Sequence, residues 1–132
     1  MNISKEALLP KDKSDTSTID KLKCLSNEEI MPIIPDLLEW LQDINWIVAP
    51  YIADVLLQHQ KISERFIAEL LSENQKDDIW KYWIINELLL KWDDIPCNEI
   101  MTELSRISKF PTKGEKIEEA DVSAKKCLKK FM

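Results

Sequence analysis

The stretch Asp77-Asp-Ile-Trp-Lys-Tyr-Trp-Ile-Ile-Asn-Glu-Leu-Leu-Leu90 decides the fold. Trp80, Trp83, Ile84, Ile85, Leu88 and Leu89 make the segment Ile79–Lys91 apolar nearly all round, the pattern of a helix at the buried centre of a domain. Asp77 and Asp78 precede it and set negative charge against the positive end of its dipole. Lys81, Asn86 and Glu87 interrupt the run, which stays short of the roughly 18–20 apolar residues of a membrane span.

Outward from this centre, helices are punctuated by proline. The chain has one glycine in 132 residues. Glycine supplies the left-handed backbone of hairpins, phosphate loops and barrel corners, so an all-β fold, a Rossmann fold and a P-loop enzyme are all disfavoured. Residues 1–15 read as an extended N-terminal arm pinned by Leu8 and Leu9, and residues 16–132 as a single helical-repeat domain. A first helix is expected over Thr16–Cys24, with Ile19, Leu22 and Lys23 on its ridge. Ser26 and Glu29 form a capping box, in which hydroxyl and carboxylate reciprocally satisfy orphan amides. A short turn over Asn27–Met31 follows, then a restart with Pro35 in the first helical turn, where its missing donor costs nothing. Further helices are predicted over Ala49–Gln58, Ile62–Ser72 with Ser63 as cap, Ile95–Ser108 and Ile117–Phe131; Gly114 falls in a loop. Short connections make neighbouring helices antiparallel hairpins.

Twenty-four acidic against eighteen basic residues give a net charge of −6. Phosphate neutralisation supplies most nucleic-acid binding energy, so nucleic acid and anionic membranes are disfavoured and a basic protein is the favoured partner. Residues 1–18 lack the apolar run of a signal peptide, and a cytoplasmic location is expected. Cys24, Cys97 and Cys127 are widely separated, with His59 the only imidazole; this is neither a disulfide framework nor a zinc site. The expectation is three structural thiols and no metal or cofactor.

A shift of 33 residues lays Ala49–Leu57 over Tyr82–Leu90, matching Ile52 with Ile85, Asp54 with Glu87, Leu56 with Leu89 and Leu57 with Leu90. A two-helix period of this length marks an α-solenoid. The fold expected is all-α: a short HEAT-like α-solenoid of about three antiparallel helical hairpins. Three runs carry a resemblance: Leu8-Leu-Pro-Lys-Asp-Lys-Ser-Asp15, Leu37-Leu-Glu-Trp-Leu-Gln-Asp-Ile-Asn-Trp46 with Val48-Ala-Pro50, and Asp77-Asp-Ile-Trp-Lys-Tyr-Trp83. They resemble a family of small bacterial proteins classed as a domain of unknown function with a HEAT-like helical-repeat fold. The resemblance implies fold and bacterial origin and carries no catalytic residues.

Trp40, Trp46, Trp80, Trp83 and Trp92 are the conspicuous side chains. Indoles combine large contact area with one donor and anchor interfaces, although Trp83, on the inward ridge, reads as core. Asp77/Asp78 and Asp93/Asp94 do not converge on one atom, since adjacent helical residues point about 100° apart. They read as caps and solvated loop. His59 suits a helix end. Lys125, Lys126, Lys129 and Lys130 suit the last dipole, with Glu118 or Asp121 placed to pair with lysines three or four residues on.

The function expected is a non-catalytic protein-interaction module, monomer or homodimer, binding an unknown basic partner. Its face would be formed by helices 49–58 and 79–91, with Trp46, Tyr51, Asp54, Trp80, Lys81 and Glu87 as anchors and charged rim. The alternatives are an immunity-type inhibitor of a toxin and, by fold analogy alone, a HEAT-like nucleic-acid enzyme of the DNA glycosylase kind.

Overall fold

The computed structural model describes residues 5–132, which are helical with no strand. Residues 1–4 of the expected arm lie outside the described residues. The rest of that arm is not fully extended. A single turn, α1 (Lys5–Leu8), is followed by a braced loop, and Leu8 is buried while Leu9 packs half-buried against the core.

Local chemistry places the next breaks. Helix α2 (Ile19–Lys23) is shorter than expected, and Lys23 is exposed rather than on its ridge. Ser26 opens α3 (Asn27–Ile30): its hydroxyl accepts from Glu29 N–H, and the Glu29 carboxylate accepts from Ser26 N–H at 2.9 Å. A 3-10 turn over Met31–Ile33 absorbs Pro32, and α4 (Ile34–Glu39) restarts with Pro35 in its first turn. Pro50 likewise sits in the first turn of α5 (Ala49–Leu57). Both prolines occupy positions where no intrahelical donor is needed.

Helix α6 (Gln60–Leu70) begins two residues before the predicted start, with His59 at its N-cap. Ser63 therefore lies inside the helix, where its hydroxyl donates to His59 C=O at 2.8 Å. Helix α7 (Asp78–Glu87) is capped by Asp77, whose carboxylate accepts from Trp80 N–H at 3.0 Å. It ends at Leu88, and the chain continues in a 3-10 turn over Leu89–Lys91. Helix α8 spans Asn98–Lys109. The predicted last helix, Ile117–Phe131, starts only at Ala120 as α10 (Ala120–Phe131); Ile117 instead ends a separate short helix, α9 (Lys113–Ile117), which also takes in Gly114, expected in a loop. The split falls at Glu119, held at φ 62 in the left-handed region that side chains rarely adopt.

One apolar core runs through these elements, with Leu22, Ile34, Leu37, Leu41, Ile52, Leu56, Ile67, Leu71, Ile84, Leu89, Ile100, Leu104 and Ala124 all buried. At one end α5 meets α2, α4 and α6; at the other, α10 lies against both α7 and α8, and α6 bridges to α8. Helices α7 and α8 thus have α10 as their main partner rather than each other, which departs from the hairpin expected of chain neighbours. The internal echo pairs unlike elements. Ala49–Leu57 is one whole helix, whereas Tyr82–Leu90 starts one turn inside α7 and crosses its end. A one-turn offset keeps the same face inward, which is why Ile52 and Ile85, and Leu56 and Leu89, are all buried.

Candidate functional site

Between the N-terminal loop and the turn joining α4 to α5 lies a cleft of about 650 Å³, lined by Asp12, Lys13, Ser14, Glu39, Trp40, Gln42 and Trp46. Trp40 is the C-cap of α4, and Trp46 sits in the turn that follows. That turn is fixed by Asp43, whose carboxylate accepts from Asn45 N–H at 2.9 Å and whose carbonyl accepts from Trp46 N–H at 3.1 Å. The two indoles meet edge to face, with centroids 6.0 Å apart and planes at 76°, an arrangement favoured by the ring quadrupoles. Both remain half-buried.

The opposite wall is the loop from Lys11 to Ser17. Asp15 holds its shape by accepting from Lys11 N–H (2.8 Å), Ser17 N–H (3.0 Å) and the Ser17 hydroxyl (2.6 Å). These bonds, the Ser17 hydroxyl first, hold the Asp15 carboxyl at about 2. Lys13 C=O accepts from Val48 N–H at 2.9 Å, which ties the loop to the entry of α5. The Lys13 ammonium then lies 4.9 Å from the Trp46 ring centroid. Residues 1–60 hold ten carboxylates against five lysines, so the cleft belongs to the acidic half of the chain.

A second cluster is closed to solvent. The Glu115 side chain is fully buried and accepts from Lys81 Nζ (2.7 Å), both terminal nitrogens of Arg106 (2.9 and 2.8 Å) and Thr112 N–H (2.8 Å). Burial pushes its carboxyl up, but the bonds from Arg106, Lys81 and Thr112 outweigh burial and hold it at about 2. Arg106 is raised chiefly by Glu115, and it also donates to Leu71 C=O and Glu103. Asp78 lies 3.4 Å from Lys81. This network joins α7, α8 and α9 and presents no accessible reacting group. Among the described residues no group of three or more His, Cys, Asp or Glu side chains is placed to hold a metal ion, and no helix is long and apolar enough to cross a membrane.

The sequence-predicted site residues do not share one face. Trp46 lines the cleft. Tyr51 and Asp54 are exposed on α5. Glu87 is half-buried and paired with Lys91 at 2.9 Å. Trp80 and Lys81 correct the expectation, because both are interior. Trp80 is 9% exposed, and its indole N–H donates to Leu38 C=O at 2.9 Å, meeting a carbonyl in the last turn of α4. Lys81 is 1% exposed because Glu115 neutralises it. Trp83 is also reassigned: it is half-buried beside Tyr82 rather than core, while Trp92 is 2% exposed.

A family model described as Domain of unknown function (DUF5071) matches residues 8–128. The chain belongs to this family. No curated protein matches it. The DUF5071 match takes in both the cleft, from Asp12 to Trp46, and the buried network, from Lys81 to Glu115.

Sequence reasoning passed over Asp12, Lys13, Glu39 and Gln42, since nothing local in 11–15 announces that it will face Trp46. It also missed Glu115. There a signal was present, because Thr112-Lys-Gly-Glu115 is a second capping box of the Ser26–Glu29 kind. His59 is buried and held at one ring nitrogen: its Nδ1–H donates to Asn27 Oδ1 at 2.5 Å, and burial lowers its basicity.

Proposed function

We propose that this member of the DUF5071 family is a non-catalytic protein-interaction module that docks a basic partner in the Trp40–Trp46 cleft. The observation that carries the reading is the pairing of two half-buried indoles with the carboxylates Asp12 and Glu39 in one groove. Aromatic side chains with a polar handle anchor interfaces, and the carboxylates with the acidic half around them select and steer a cationic surface. The docking face therefore centres on Trp46 instead of spreading over 49–58 and 79–91, whose Trp80 and Lys81 are committed to the interior.

We read the scaffold as a short HEAT-like stack. The lateral series α5 to α6, α6 to α8 and α8 to α10 supports that reading. In such stacks one flank is left for partners, and the cleft lies at the N-terminal end of the series.

Site-specific photocrosslinking tests the function. A crosslinker replacing Gln42 is expected to trap a protein of net positive charge in the cells that make this chain. Capture should fall in high salt and in the Asp12→Lys/Glu39→Lys variant. A product of acidic character, or capture indifferent to the charge reversal, overturns the proposal.

A further inference from the structure

The ring face of Trp46 already carries a cation. Three cation–ring contacts occur among the described residues, and two of them, Arg65 on Phe66 and Lys130 on Phe131, join sequence neighbours. Lys13 on Trp46 spans 33 residues and is imposed by the fold, through the Val48 N–H bond to Lys13 C=O. Within 4.0 Å the Lys13 ammonium has no carboxylate among the described residues, although Asp12 and Glu39 line the same cleft. The ring and solvent are its main partners. At an exposed site such a contact is weak, and the four-carbon stem of lysine swings aside freely.

From this geometry we infer that Trp46 is the receptor for one guanidinium or ammonium side chain of the partner, and that Lys13 is its intramolecular stand-in. The inference rests on the docking reading above and makes it specific. On docking, a partner's arginine replaces Lys13 over the indole. The planar guanidinium stacks on the ring where the ammonium only points at it. The displaced Lys13 moves toward solvent while Asp12 and Glu39 balance the incoming charge. Trp40, set edge to face at 6.0 Å, fixes the orientation of the receiving ring. The braced Lys11–Ser17 loop keeps the wall in place during the exchange.

The occupant makes the site self-competing. Removing the Lys13 charge while keeping its stem, as in Lys13→Met, frees the ring face. Affinity for an arginine probe then rises about three-fold, the factor that a weak exposed cation–π contact represents.

The test is a titration of the intact chain with N-acetyl-arginine amide, followed by the Trp46 indole N–H resonance, with the citrulline analogue as the uncharged isostere. The arginine probe is expected to shift Trp46 and the citrulline probe is not. Lys13→Met should tighten binding about three-fold, and Trp46→Phe, which keeps a packed ring with a weaker quadrupole and is followed at the neighbouring Trp40 indole N–H, should loosen it. Unchanged affinity in Lys13→Met, or equal binding of citrulline, overturns the inference. A basic partner captured through position 42 with equal efficiency in the parent, Trp46→Phe and Lys13→Met overturns the cation receptor and leaves the docking surface standing. Arginine binding that tightens in Lys13→Met supports the receptor even where crosslinking returns no basic protein.

Discussion

Replacing Glu115 by glutamine removes one charge from the most enclosed ion cluster of the molecule. The parent carboxylate is fully buried and takes four donated bonds, from Lys81, Arg106 twice and Thr112. Its carboxyl is held at about 2 against an ordinary 4.5. At about 1.4 kcal/mol per pKa unit, the ionised form contributes on the order of 3 kcal/mol to folding. Glutamine retains an oxygen for Thr112 N–H but takes away the carboxylate that Lys81, 1% exposed, and Arg106 both contact directly, leaving Lys81 only the more distant Asp78 at 3.4 Å. Breaking a buried pair in this way costs about 3–5 kcal/mol, a large share of the roughly 5–15 kcal/mol that holds a domain folded. Urea unfolding followed by circular dichroism measures it. With a slope of about 2 kcal/mol/M, the midpoint should fall by about 2 M at pH 7. The pH dependence has a definite sign. The folded pKa lies below the unfolded one, so the contribution is complete above about 4.5 and is lost as pH falls from there to about 2. Asp15 and Glu29 are also held low, by their bonds to Ser17 and Ser26, so the variant keeps part of the acid loss. The difference between the two curves isolates Glu115. A cost under about 1 kcal/mol at pH 7, or an acid loss identical to the parent's, refutes the reasoning.

Other substitutions separate interior from surface. Trp80→Phe removes the indole bond to Leu38 C=O and should cost about 1–2 kcal/mol in the same unfolding assay, with no change in arginine-probe affinity. A methyl at Gly114 would collide with the Asp78 carboxylate. Gly114→Ala should therefore be worse by about 1 kcal/mol in the parent than in an Asp78→Ala background, as read from a double-mutant cycle. The thiols should react in order of accessibility: Cys24 at once, Cys97 more slowly, and Cys127, buried and pushed up to about 11, only on unfolding. Counting thiols against an aromatic disulfide reagent at pH 8, with and without urea, checks this.

What was legible in the sequence was local chemistry. The Ser26–Glu29 box and the Asp77 cap rest on bonds spanning three residues, the restart at Pro35 on a donor its position does not need, and all three appear as predicted. The break at Glu119 was not legible, because Ile117 on one side reads in register with Ala120 and Ala124 on the other, although Ile117 is exposed. Nor was the fate of Lys81. A lysine in an apolar helix reads as rim, and its burial rests chiefly on Glu115, 34 residues on at 2.7 Å, with Asp78 farther off at 3.4 Å. The same holds for the cleft. Trp46 stood out as a candidate anchor, but the loop that completes its site is tied there by a backbone bond between Lys13 and Val48. Tertiary contacts of this kind leave no spacing to find.

The five tryptophans offer five indole N–H resonances, and these test the docking claim most directly. On titration with an arginine-rich peptide, Trp40 and Trp46 should shift together, with the effect screened by salt, while Trp80 and Trp92 stay fixed. Shifts confined to Trp83, or a Trp46 signal indifferent to a saturating basic peptide, would contradict the account.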